Sequence, residues 1–169
     1  MRTVWTLVSG FAVALVLAPA AYAGWVQHNA PEFGFSGVFP KAPAYETSTS
    51  DGVKMNTFVG AGTGALCIII AADYPYVINP DEETIASRDS FVKGVGATLK
   101  TSKRVTFARG SQQLPAIAFD ADSPTMKFKS LIVIDGSRAY QVGAGIPVPD
   151  GDTAELDTCV GGFVLTPKS

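Results

Sequence analysis

At 169 residues and a formal net charge of −2, the chain has the length of one domain. Nothing in its composition suggests a nucleic-acid binder, which would gather positive charge on one surface, and two cysteines with a single histidine fall short of the usual four ligands of a structural zinc site.

Residues 1–23 read as a secretory signal: Arg2 gives a positive start, Val4 to Leu17 an apolar run, and Ala21-Tyr22-Ala23 a small-x-small cleavage site before Gly24. Cleavage leaves 146 residues carrying 12 basic and 15 acidic side chains, with no cysteine at the new terminus to take a lipid. No later run approaches spanning length, so the mature chain is expected not to be integral to a membrane and to work in the periplasm or outside the cell. Cys67 and Cys159 would then meet an oxidising compartment, where a disulfide is expected if geometry permits.

From Gly24 the first predicted strand is Phe33 to Phe39, closed by Pro40 and Pro43, with His28 in a terminal arm before it. Lys41 to Gly52 reads as a polar loop with a turn at Asp51-Gly52. Val53 to Gly60 alternates and gives a second strand, wet on one face. Gly60 to Gly64 turns the chain but lacks the GK[ST] of a phosphate loop.

Ala65 to Tyr74 is the stretch that organises the rest. Leu66, Cys67, Ile68, Ile69 and Ile70 run without a polar break, so both faces of this strand should be covered. Asn79-Pro80-Asp81-Glu82-Glu83 starts a helix with a cap, a first-turn proline and acids at the positive end of the dipole. Ile85, Val92, Val95 and Leu99, beside Phe91, mark its apolar stripe to about Ala97.

Short strands follow at Lys103–Ala108 and Leu114–Ala121. The Ala116 and Ala118 face of the latter is small enough to sit under a helix. Met126 to Ile134 and Arg138 to Gly145 form the clearest hairpin, turning at Asp135-Gly136-Ser137. One face carries Lys127, Lys129, Leu131, Val133, Tyr140 and Val142. The other, with Phe128, Ile132 and Ile134 against Ala139, Gln141 and Gly143, is the large-on-small surface expected under a helix. Asp152 and Glu155 make a capping-box arrangement for a last helix, which places Cys159 inward, and Phe163-Val164-Leu165 is a final short strand. The helix begun at Asn79 and the one bearing Cys159 would sheathe the isoleucine-rich strand above and below.

This order, together with Phe35-Ser36-Gly37-Val38-Phe39-Pro40 and Pro43, Ala72-Asp73-Tyr74-Pro75, Ser137-Arg138-Ala139-Tyr140-Gln141-Val142 and Gly162-Phe163-Val164-Leu165, resembles the PsbP-like family. That family includes photosystem II extrinsic proteins and small secreted bacterial relatives of unknown role. The resemblance covers nearly all of the mature chain and implies an α+β fold: an antiparallel sheet with helices on both faces, an α/β/α sandwich. It implies a non-enzymatic partner as well. Cys159-Val160-Gly161-Gly162-Phe163 departs from the family, which more often has a bulky residue and Ser before the Phe, and none of the plant proteins' ion-binding residues is carried over.

The expected function is therefore an exported, non-enzymatic binding or accessory module for an unknown protein or small ligand, with no catalytic residue, cofactor or metal assigned. Its candidate surface is Lys127, Lys129, Arg138 and Tyr140. Lysines on such a sheet also serve simply to discourage strand addition. Two alternatives stand beside it: a small hydrolase using a carboxylate near Asp73, at a strand end beside Tyr74, and a cell-envelope structural or stress protein.

Overall fold

The computed structural model describes residues 24–167, so residues 1–23, which read as a leader, lie outside the described residues. In chain order these fold as β1 (Val26–Ala30), a turn of 3-10 helix (Pro31–Phe33), β2 (Phe35–Phe39), β3 (Ala44–Ser50), β4 (Val53–Ala61), β5 (Leu66–Asp73), α1 (Pro80–Gly94), β6 (Thr98–Arg109), β7 (Gln112–Asp122), β8 (Met126–Asp135), β9 (Arg138–Pro147), α2 (Thr153–Gly161) and β10 (Val164–Leu165). Seven strands form one antiparallel sheet in the order β3-β4-β5-β9-β8-β7-β6. β1, β2 and β10 form a second.

The expected α/β/α sandwich is overturned. Among the described residues the protein is predominantly strand, with two α-helices and two antiparallel sheets. The layer against the large sheet is built mainly from the small sheet, because Phe35 and Phe39 of β2 and Leu165 of β10 bury fully against Phe58, Ile69, Tyr140 and Val142. α2 adds only Leu156, Cys159 and partly buried Val160 to that core. On the opposite face α1 lies over β7 and β8, where Phe91 and Val92 meet Ile117, Phe119, Ile132 and Ile134.

β5 is an interior strand between β4 and β9, as its unbroken apolar run predicts. Its cover is unequal, however: Cys67, Ile69 and Ala71 are fully buried beneath the small sheet, whereas Leu66, Ile68 and Ile70 are only half-buried, since α1 crosses β7 and β8 instead. Cys67 and Cys159 are bonded, with Cα atoms 5.8 Å apart, tying α2 to the middle of the large sheet.

The hairpin of β8 and β9 has the expected pairing. Gly136, at φ 67°, and Ser137 form its two-residue turn, Leu131 faces Val142 and Val133 faces Tyr140 on the small-sheet side, and Ile134 faces Ala139 on the α1 side. Gly143 there lies against Phe91, so large on small does mark the helix cover. On β7 the assignment reverses: Ile117 and Phe119 sit under α1, while Ala116 faces the small sheet.

Several boundaries differ from the sequence expectation. The arm holding His28 is strand β1, where His28 pairs with Gly37 and its ring stands 5.3 Å from that of Phe58. The polar loop is largely the edge strand β3. Water bathes both of its faces, so Thr and Ser serve as well as any apolar residue and no alternation marks it. α1 ends at Gly94, and Leu99 belongs to β6, a strand twice the length of the one anticipated.

Candidate functional site

Four strand ends converge at one end of the large sheet. Asp73 closes β5, Arg109 closes β6, Asp135 closes β8 and Arg138 opens β9. Side chains alternate along a strand, so Asp73 shares the face of Ile69 and Ala71, Asp135 that of Val133, and Arg138 that of Tyr140 and Val142. That is the face turned to the small sheet. The 3-10 turn supplies Pro31 and Glu32 and the chain's last described residues supply Thr166 and Pro167, which together wall a cleft of about 620 Å³.

The two arginines of the cleft pair with its two aspartates, and Glu32 adds a further carboxylate to the wall. Arg109 reaches across β7 to Asp135, and both side chains are more than nine-tenths buried. Burial of an ion pair contributes little net stability but makes loss of one partner costly. Arg138 Nε donates to Asp73 Oδ1 at 2.5 Å, and this pair is roughly one-third exposed. Partial burial works against the Arg138 charge, but the bond to Asp73 and the neighbouring Tyr140 outweigh it and raise the guanidinium pKa above its ordinary value. Tyr140 is fully buried; its hydroxyl donates to the Phe33 carbonyl at 2.9 Å and lies 3.5 Å from Arg109 Nη2. It thereby pins the 3-10 turn against the sheet.

The four residues expected to form one surface separate into two places. Arg138 and Tyr140 come together in the cleft. Lys127 and Lys129 lie toward the other end of the hairpin, opposite Ile146 and Ala144, and Lys129 Nζ is held by Asp157 of α2 at 2.6 Å. Tyr140 is thus an interior residue with a polar tip, and the lysines are not its neighbours. Asp73 does share a cleft with other carboxylates, Asp135 and Glu32. Arg109, Glu32 and Asp135 are the charged cleft residues that sequence reasoning missed, since in the sequence Asp135 reads only as part of the hairpin turn. The turns at Asp135-Gly136-Ser137 and Arg109-Gly110-Ser111 were legible, but the pairing of Asp135 with Arg138 and the meeting of both turns at one end of the sheet came from the structure.

A smaller groove of about 360 Å³ lies on the opposite face, where Ile68, Ile70 and Gln141 meet Ser87 and Phe91 of α1. Beside it the Tyr74 hydroxyl donates to Glu83 Oε1 at 2.6 Å; burial first, then this bond to a carboxylate, pushes its pKa well above the usual tyrosine value. Among the described residues no group of three His, Cys, Asp or Glu is arranged to hold a metal ion, and no helix is long and apolar enough to cross a membrane.

No family model and no curated protein matches the chain. Among solved structures it is similar to a Bacteroides thetaiotaomicron protein at 13% identity and a TM-score of 0.33, over 80% of this chain. The chain spans less than half of that protein, 46% of its length.

Proposed function

We propose that the chain is an exported, non-enzymatic binding or accessory module of the periplasm or cell envelope, and that its ligand is a small molecule or peptide end whose anionic group meets Arg138 in the cleft. The observation that carries this reading is the charge arrangement there. Each aspartate is engaged by a guanidinium, and of the two arginines Arg138 is the partly exposed one, lining the cleft beside its partner Asp73 and Glu32. Ser137 and Thr166 line the cleft without a histidine beside them, and nucleophilic catalysis needs a base within hydrogen-bond reach.

Export rests on the leader-like start, and the bonded cysteines support it. The resemblance to PsbP-like proteins supports an accessory role, although the sandwich it implied is not carried forward. The test is a thermal-shift and native mass-spectrometry screen of the purified chain against small carboxylates, phosphates and peptides, repeated with Arg138→Ala. A ligand that raises the melting temperature of the parent and not of the variant supports the proposal.

Hydrolysis is the second reading, favoured by the presence of Asp73 and Asp135 in one cleft. Turnover of ester or glycoside substrates that disappears in Asp73→Asn would establish it in place of the first.

A further inference from the structure

Glu155 does not do what its place in a capping box calls for. Asp152 caps α2 by accepting from the Ala154 N–H at 2.9 Å, but Glu155 turns away from the helix start, and its Oε2 is enclosed with no hydrogen-bond partner among the described residues. The carboxylate lies over Gly64, where a Cβ would stand 2.7 Å from Oε2. It faces a cavity of about 240 Å³ lined also by Gly24, Trp25, Pro40 and Lys41. An enclosed carboxylate oxygen is costly unless a donor, best of all a cation, meets it.

We propose that this cavity is the seat of a primary ammonium, the α-amino group freed at Gly24 on removal of the leader, with Glu155 as its counter-ion. The inference rests on the export reading. A signal peptidase adds water across the Ala23–Gly24 amide, leaving a carboxylate on Ala23 and on Gly24 an amine that takes up a proton. Before that step the Gly24 nitrogen is a neutral amide; afterwards it is a cation on a residue that lines the same small cavity as Glu155. Charges lining one small pocket interact at an effective dielectric well below that of bulk water. Maturation would thereby complete the electrostatics at the start of α2, next to the cysteine-bonded layer.

The experiment compares the chain beginning at Gly24, released from a cleavable fusion in an oxidising host, with the same chain carrying one added Ser before Gly24, each with and without Glu155→Gln. The added residue should lower the melting temperature by about 2–5 °C, the scale expected for loss of one ion pair in a domain of this size, and Glu155→Gln should lower it in the Gly24 chain but not further in the extended one. The Gly24 amine should also react several-fold more slowly with an amine-selective reagent at neutral pH than in Glu155→Gln. Additive effects of extension and Glu155→Gln would overturn the proposal. So would a Lys41→Met variant that reproduces the Glu155→Gln loss while extension has no effect, since Lys41 would then be the partner. Terminal sequencing of the protein from its native envelope tests the export reading separately. Recovery of the protein outside the envelope refutes the export reading, a start other than Gly24 refutes the cleavage position and with it the maturation step, and a start at Gly24 with additive stabilities refutes the ammonium seat alone.

Discussion

Removing the Cys67–Cys159 bond should cost this protein a large part of its stability. The bond joins residues 92 apart in sequence, and the chain-entropy model assigns closure of such a loop about 4.6 kcal/mol of destabilisation of the unfolded state. A domain of this size is stable by roughly 5–15 kcal/mol, so the bond accounts for a third or more of the total. Both cysteines are fully buried, and replacing each by alanine adds a void worth about 1 kcal/mol. Guanidinium unfolding of the oxidised chain, the reduced chain and Cys67→Ala/Cys159→Ala separates the two contributions, because the reduced chain keeps its sulfur atoms. With a slope near 4 kcal/mol/M, the reduced chain should unfold about 1 M earlier than the oxidised one, and the double variant somewhat earlier again. A shift below about 0.3 M on reduction would refute the reasoning, since closure of the long loop would then contribute little. Labelling of the unreduced, denatured chain should find no free thiol.

Arg109→Met should destabilise by up to about 3–5 kcal/mol because the buried Asp135 carboxylate loses its guanidinium, whereas Arg109→Met with Asp135→Leu should recover most of the loss; chemical denaturation of both variants reads the difference. Gly60→Ala should cost about 1–3 kcal/mol by the same assay, as the new methyl would stand 2.7 Å from Phe39 Cβ and 2.8 Å from the Lys41 carbonyl oxygen. Tyr74 has a folded pKa above its unfolded value near 10, so the stability it contributes is fully present below about pH 10 and is lost as pH rises through the higher folded value. Melting temperatures measured from pH 8 to 12 should therefore fall more steeply for the parent than for Tyr74→Phe.

Local pattern made some of this architecture readable and left the rest open for definite reasons. The residues sharing each face of the β8–β9 hairpin followed from its tight turn and alternation alone, and the helix starts at Asn79 and Asp152 from their caps. β3 was hidden because an edge strand open to water on both faces needs no apolar alternation. Leu99 fitted the helical spacing of α1, but Gly94 and Gly96 end the helix before it, and Gly96 takes a positive φ of 62° as the chain enters β6. In the cleft, Asp73 and Arg138 stood out by position, while Arg109 was invisible because its partner lies two strands away.

By itself the sequence determined local things: which residues alternate, where chains turn, and that β5 is too apolar to lie at an edge. Those follow from backbone geometry and the cost of exposing apolar surface, which act over a few residues. Only the tertiary structure decided what covers β5, because Phe35, Phe39 and Leu165 come from both ends of the chain and form a layer only once β2 and β10 pair. It likewise decided that Tyr140 is an interior anchor beside Arg109, since a strand's alternation names its face but not the layer that closes over it.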